Sequence, residues 1–416
     1  MDIHDRQFET LSVTHGEHES TTSDVAEDVV VPIHLTSTYA VGGLDPDADL
    51  ELLDPDAGEY LYSRLSNPTR NALEHRLAAL EGGEFGMAFA SGTAAIVSTI
   101  MATVEPGDHI VAFQDLYGGT KTMLSRLFEE RLNVDVTLVD ARDPDAVRDA
   151  VRPETTLLWM ESPTNPLMHL CDIEAMADVA HDAGAILGVD NTFVSPYFQQ
   201  PLALGADVAV HSTTKYLNGH SDSVGGAVVT NDEALAGEIR FLQQVGMGNM
   251  LSPFDAYMVL RGTKTLPLRM RQHQENAMAV AEHLEAHDLV TAVHYPGLES
   301  HPQHDLARRQ MSGYGGVLSF ELDADLDGIE QFLGALREFP LAVSLGGVES
   351  LVEHPATMTH SPLTQTARDL LGISNSLLRM SVGVEHVDDL LADLDRGFDA
   401  LADFDATQQT TPSTSD

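Results

Sequence analysis

Val208-Ala209-Val210-His211-Ser212-Thr213-Thr214-Lys215-Tyr216-Leu217-Asn218-Gly219 reads as a short apolar strand that runs into a hydroxyl-bearing turn containing one amine. The chain has only two other lysines, Lys121 and Lys264, so an amine is kept here in a sequence that has nearly abandoned them. A primary amine behind Ser212 and Thr214 can condense with an aldehyde cofactor whose phosphate those hydroxyls hold. The plainer alternative is a surface lysine after a strand, and the rest of the chain weighs against it.

Outward from this stretch, apolar runs of strand length recur at His109–Phe113, Val134–Val139, Thr155–Met160, Ala185–Val189, Val208–His211 and Gly226–Val229. Between two of them, Ile173, Met176, Ala177 and Ala180 have the spacing of an amphipathic helix, so that crossover is helical. Strands alternating with helices predict an α/β domain with a mostly parallel sheet over residues 66–265. Residues 1–65 are acidic loops around a short apolar stretch, Val29 to Ile33, and Gly43 to Gly58 is rich in Asp, Pro and Gly. That region reads as an arm. From residue 266 the pattern changes to a long helical run, Leu268 to Ala286, a Pro296-Gly297 turn and a strand at Val317–Leu322, which predicts a smaller α+β domain over 266–402. Residues 403–416, rich in Thr, Ser, Gln and Asp, read as a flexible, solvated tail.

The chain has 416 residues, 43% hydrophobic and 21% charged, enough to bury a substantial core. A formal net charge of -43 argues against a nucleic-acid partner and against acidic membrane surfaces. Excess Asp and Glu, with Arg preferred to Lys, predicts a halophilic protein of a salt-rich cytoplasm, where screening suppresses self-repulsion. The single cysteine, Cys171, excludes an intrachain disulfide and a thiolate-rich metal site. No run of about eighteen apolar residues and no secretion signal is present, so cytoplasmic residence is expected.

In open α/β sheets ligands sit beyond the carboxyl ends of the strands. Asp190 ends such a run and can either cap the next element or pair with a protonated pyridine nitrogen. Ser91-Gly92-Thr93-Ala94 reads as a turn entering a helix, an ordinary N-cap or a phosphate site. Tyr117, beside Gly118 and Gly119, either stacks on a flat ring or belongs to the core. Tyr62 and Arg64 offer a phenol and a guanidinium fork for a phosphate, on an arm able to reach a neighbouring subunit. Asn165, between Pro163 and Pro166, carries an amide on a stiffened loop. Arg379 is a cation in an apolar strand, and a substrate carboxylate is its natural partner.

These blocks, together with Pro32 to Tyr39, Glu161 to Pro166, Val189 to Thr192, Arg261 to Leu266, Ser344 to Ser350 and Arg379 to Glu385, follow one order along almost the whole chain. In that order the sequence resembles the trans-sulfuration group of pyridoxal-phosphate enzymes of cysteine and methionine metabolism, which contains cystathionine γ-synthase, cystathionine γ-lyase and methionine γ-lyase. The resemblance implies a fold-type I, aminotransferase-like α/β architecture and pyridoxal 5'-phosphate as cofactor. It implies that Lys215 holds the cofactor aldehyde and shuttles protons, that Asp190 meets the ring nitrogen, and that Tyr117 stacks on the ring and helps move protons. It implies a phosphate cup of Gly92, Thr93, Ser212 and Thr214, completed by Tyr62 and Arg64 of the adjacent chain in a homotetramer. Asn165 and Arg379 then hold the substrate carboxylate, with Ser344 beside them.

The expected activity is γ-elimination or γ-replacement on a sulfur-containing or homoserine-derived amino acid, of the cystathionine γ-lyase or γ-synthase type. Val343, where cystathionine enzymes often carry Glu, speaks for a methionine γ-lyase. Gly119, where methionine γ-lyases usually carry Cys, speaks against one, as does Asn218-Gly219-His220-Ser221-Asp222. Three other readings are weaker. A metal-dependent hydrolase rests on nineteen histidines overall and on His301 and His304, which lack a regularly spaced third ligand. A non-catalytic relative is opposed by intact Lys215, Asp190 and Arg379. Transamination by a related architecture is separated by product analysis.

Overall fold

The computed structural model describes residues 6–16, 28–41, 55, 58–361 and 363–410. The Gly43–Gly58 loop lies outside the described residues, apart from Pro55 and Gly58. The chain forms two compact units: residues 1–162 with 171–268, and residues 163–170 with 269–416.

The larger unit is built on a seven-stranded sheet. Its strands are β1 (Phe85–Phe89), β2 (His109–Phe113), β3 (Asp135–Val139), β4 (Thr155–Glu161), β5 (Ile186–Asp190), β6 (Val208–His211) and β7 (Gly226–Thr230), in the order β1-β7-β6-β5-β4-β2-β3. The β3-β2-β4-β5-β6 pairings are parallel, and β7 pairs antiparallel with both β6 and β1. Strands β2 and β6 are buried along their whole length and β4 and β5 nearly so, which is why they read as continuous apolar runs rather than alternating ones. Edge strand β3 instead carries exposed and half-buried residues, Asp135 and Thr137 among them. Trp159 of β4 is fully buried in the core with Phe89, Phe113 and Phe128, each such side chain contributing roughly 1.5–3 kcal/mol of burial. Cys171 is buried in the same core, which pushes its thiol up to about 12 and leaves it inert at neutral pH.

The crossover helix runs Ile173–Asp182, with Asp172 accepting the Ala175 N–H at its start. Helix Gly92–Thr103 follows β1, and the Ser91 hydroxyl caps it by accepting the Ala94 N–H. The arm is tied to the start of helix Pro68–Glu81. Asn67 Nδ2 donates to His34 O, Tyr39 Oη and Ser63 Oγ, while the Thr69 hydroxyl donates to Pro32 O. The Val29–Ile33 stretch forms no strand, and Val29 is exposed.

The smaller unit holds a four-stranded antiparallel sheet, β10-β11-β9-β8, from β8 (Val290–His294), β9 (Val317–Leu322), β10 (Leu351–Glu353) and β11 (Leu377–Ser381). Phe332 of helix Leu326–Ala335 packs on Phe320 of β9 and on Phe398, with ring centroids 6.1 and 5.2 Å apart at tilted angles worth about 0.5–1.5 kcal/mol each beyond area burial. Two expectations are corrected here. The tail predicted from residue 403 is helical to Thr410, because Leu390, Leu394, Phe398 and Leu401 give helix Val387–Thr410 a buried stripe that carries it onward. Residues 163–170, expected within the 66–265 domain, group with the smaller unit. The Gln303 side chain holds Leu170 N–H at 2.9 Å and Leu170 O at 2.6 Å, and the Ser319 hydroxyl donates to Pro166 O at 2.6 Å.

Candidate active site

On the larger unit, the carboxyl ends of β5 and β6 set Asp190 and the Ser212–Lys215 turn on neighbouring strands. The turn closes through Lys215 N–H on Ser212 O at 3.2 Å, Asn218 N–H on Thr213 O at 2.9 Å and Gly219 N–H on Lys215 O at 2.7 Å. Tyr216 and Leu217 anchor it in the core, and Lys215 itself is half-buried. Thr214 Oγ1 both accepts the Gly225 N–H, at 3.0 Å, and donates to Gly225 O, at 3.3 Å, so that hydroxyl is spent on the segment entering β7.

Asp190 is buried, 9% exposed. Its Oδ1 accepts the Thr192 hydroxyl at 2.6 Å and the Thr192 N–H at 3.0 Å, and among the described residues its Oδ2 takes no hydrogen bond. Burial raises the pKa of this carboxyl, against the two Thr192 bonds and the field of His211, which favour the anion. Thr192 Oγ1 also accepts the Ser212 N–H at 2.8 Å, so one hydroxyl ties the carboxylate strand to the lysine turn.

Gly92 lies against that turn so closely that a Cβ there would sit 2.8 Å from Ser212 Cβ and 3.1 Å from its Oγ. With Ser91 spent on Ala94 and Ala95, the N–H groups of Gly92 and Thr93 have no acceptor within the described chain. Two bare amides at a helix start beside a serine hydroxyl form a cradle for a phosphate. Tyr117 is 48% exposed and so not core. Its backbone N–H donates to buried Glu161 Oε2 at the end of β4, at 2.8 Å, and its ring lies over Gly119, where a Cβ would come within 2.3 Å of Cε1. An aldehyde-bearing pyridine phosphate fits these residues: a cradle for the phosphate, a carboxylate with one bare oxygen for a ring nitrogen, an exposed aromatic for the ring face, and an amine.

Tyr62 and Arg64 are not brought to this group. The Arg64 guanidinium sits 5.7 Å from the Tyr62 ring centroid and donates to Gln244 O, and Tyr62 is 43% exposed.

On the smaller unit, Arg379 is 4% exposed in the middle of β11. Nη1 donates to Asn165 Oδ1 at 2.8 Å and pairs with Glu353 Oε1 at 3.0 Å, while Nη2 donates to Ser344 O at 2.7 Å. Asn165, Arg379 and Ser344 are thus gathered, Ser344 through its carbonyl and with φ +107°, a strained conformation for a non-glycine residue. Buried Arg379 also has a carboxylate partner within the chain, Glu353, its cross-strand neighbour. His301 and His304 make local bonds in this unit, to Gln303 N–H and Pro296 O.

Sequence reasoning missed Thr192, Glu161 and Glu353 as parts of these groups. Thr192 was legible as a hydroxyl two residues after a carboxylate, a pattern that closes a local turn. Glu353 was legible as a charge in the apolar run Leu351-Val352-Glu353. Glu161 had no local signal, because its partner is 44 residues away.

Comparison with known proteins bears on this geometry. The family described as Cys/Met metabolism PLP-dependent enzyme matches residues 9–399. A cystathionine gamma-synthase of Mycobacterium tuberculosis (strain ATCC 25618 / H37Rv) is 49% identical over 387 residues, covering 92% of this chain and 95% of that protein. A cystathionine gamma-lyase of Dictyostelium discoideum is 45% identical over 375 residues, covering 89% and 93%. Among solved structures, a cystathionine gamma synthase from Xanthomonas oryzae pv. oryzae, in complex with aminoacrylate and cysteine, superposes with a TM-score of 0.89 at 41% identity, covering 96% of this chain and 99% of that one. The family match and these relatives span nearly the whole chain, and the chain belongs to the PLP-dependent enzymes of Cys/Met metabolism.

Proposed function

We propose that the chain catalyses γ-replacement or γ-elimination of the cystathionine γ-synthase or γ-lyase type, on an amino acid carrying a sulfur or an activated oxygen at Cγ. The observation that carries the reading is the one-sided bonding of Asp190: Thr192 holds Oδ1 twice and leaves Oδ2 for a ring N–H. Bound pyridoxal phosphate supplies a sink for the electron pair left when Cα loses its proton. The protein's own groups divide the remaining work. Lys215, whose amine would hold the cofactor at rest, would take the Cα proton once free and serve the following transfer at Cβ. Asp190 stays anionic to keep the ring nitrogen protonated. Tyr117 covers one ring face and offers a phenol to the departing group at Cγ. Gly92, Thr93 and Ser212 hold the phosphate, joined by Thr214 once its hydroxyl turns from its long 3.3 Å bond to Gly225 O, and Arg379 and Asn165 hold the substrate carboxylate, with Ser344 beside them.

Tyr62 and Arg64 complete the cup of an adjacent subunit in a homotetramer, a role supported by the exposure of Tyr62 and by the Arg64 guanidinium lying beside its ring. Working conditions are those of a salt-rich cytoplasm, in keeping with the net charge of -43. Methionine γ-lyase is the second reading, favoured by exposed, apolar Val343 beside Ser344.

A substrate panel tests the assignment. Cystathionine, methionine, and an acylated homoserine with cysteine are each supplied to the holoenzyme, with 2-oxobutanoate, ammonia, thiol and new thioether as readouts. Turnover of cystathionine, or of acylated homoserine with cysteine, supports the proposal. Turnover of methionine alone moves it to the second reading, and amino-group transfer to a keto acid without ammonia release sinks both. Loss of colour and turnover in Lys215→Ala checks the amine.

A further inference from the structure

Arg379 is held on three sides, by Asn165 Oδ1, Ser344 O and Glu353 Oε1. The third contact differs in kind. Asn165 and Ser344 contribute dipoles, whereas Glu353 contributes a full negative charge at 3.0 Å, with the two side chains 4% and 0% exposed. Glu353 ends β10 directly opposite Arg379 on β11, so the sheet register fixes the pair, and the Thr359 hydroxyl donates to the same Oε1 at 3.0 Å. Stability alone is a poor reason for this arrangement. A buried ion pair of this kind is often no more stabilising than an apolar pair of the same volume.

We infer that Glu353 is a positioning residue for substrate binding: an internal counter-ion that aims the Arg379 guanidinium and limits its attraction for the substrate carboxylate, so that substrate and product can leave. This rests on the reading that Arg379 receives that carboxylate. With Glu353 ionised, the pair is neutral before the substrate arrives. Without that charge, the site presents a bare buried cation, and an entering carboxylate meets a stronger field in a medium that screens it weakly.

The test compares L-norvaline, which has no leaving group at Cγ, with its methyl ester, both titrated into holoenzyme and followed by the cofactor spectrum. Glu353→Gln keeps the shape and an acceptor while removing the charge. It is expected to tighten the acid by about tenfold or more and to leave the ester within about twofold. In turnover the same variant lowers KM and kcat together, since release slows. Glu353→Asp, which retracts the charge from Nη1, is expected to shift the acid in the same direction by a smaller factor, and decides the matter if the Gln variant does not fold. Unchanged or weaker acid binding in the folded variant overturns the inference, as does an equal change for acid and ester. Arg379→Lys separates this from the underlying reading. If it weakens the acid alone while Glu353→Gln does nothing, only the counter-ion role fails. If it leaves the acid unaffected, the carboxylate assignment itself is wrong.

Discussion

Asp190 shows at the level of one residue how a buried carboxyl is kept at the expense of the fold. Burial raises its pKa, so between the ordinary carboxylate value and the raised one the folded apoprotein binds more protons than the unfolded chain, and stability falls as pH rises through that window. Asp190→Asn removes the buried charge. The expected outcome is an apoprotein that melts higher than wild type at pH 7.5, with the gap closing toward pH 4, and that has lost at least about a thousandfold in turnover. Calorimetry of the two apoproteins across that range checks the first part, and a variant that melts lower at every pH refutes it. Gly119 gives a second prediction. A methyl group there meets Tyr117 Cε1 at 2.3 Å, so Gly119→Ala must displace the ring. Loss of a stacking contact worth about 0.5–1.5 kcal/mol predicts roughly three- to tenfold weaker cofactor retention, measured by absorbance after dialysis. Asp190, which ends an apolar run, and Lys215, in the hydroxyl-bearing turn after the next one, were noticeable in the sequence because the runs mark where the strands stop. Residues whose role is to hold another were legible only when the partner is near in sequence. Thr192 beside Asp190 is such a case, while Glu161, which holds the Tyr117 amide, is not.

At the level of the element, six strands of the seven-stranded sheet were legible within a residue or so: in β2, β4, β5, β6 and β7 burial on both faces writes an uninterrupted apolar run, while edge strand β3 was legible only from Val134, Val136, Leu138 and Val139. Strand β1 was not: Phe85-Gly86-Met87-Ala88-Phe89 lacks β-branched residues and is flanked by glycines, so its pairing with β7 decides its form. The long helix Leu266–Glu285 was legible from its period, and one of its residues yields a prediction that periodicity could not. His273 Nδ1 bonds Val382 O at 2.7 Å, just past β11, and burial drops its pKa to about 4. His301, buried among His294, His169 and His304, is likewise held near 4. Both are neutral in the folded state. The stability they contribute is therefore present above the unfolded value of 6.5 and is lost as pH falls toward 4, by roughly 3 kcal/mol for each at full shift. His273→Gln, which can still donate to Val382 O, is expected to lose stability itself at pH 7.5 yet to fall less between pH 7.5 and 5 than wild type. Denaturant midpoints at the two pH values decide it, and a parallel decline in both proteins removes His273 from the account.

At the level of the whole molecule, the dominant fact is 65 acidic residues against 22 Lys and Arg. Local ion pairs such as Arg142–Asp140 and Arg148–Asp145 engage only part of that excess, and as surface pairs each is worth about 0–1 kcal/mol. What remains is repulsion among many carboxylates at distances that dilute buffer does not screen: the Debye length is about 30 Å at 0.01 M and about 3 Å at 1 M. Compaction concentrates those charges, so the folded state suffers more from weak screening than the unfolded chain does. The protein is therefore expected to melt roughly 5–10 °C higher in molar KCl than in 0.01 M buffer, as several kcal/mol of relief would produce. The shape of the curve separates screening from generic salt exclusion at the surface. Screening delivers most of the gain below about 0.3 M, where the Debye length is shrinking fastest, whereas exclusion rises in proportion to concentration with no early plateau. Replacing a patch of exposed Asp and Glu by Asn and Gln should flatten the early rise and leave the later slope alone. A melting temperature that is indifferent to KCl, or one that climbs only beyond 1 M, would mean that the acidic excess serves something other than life at high salt.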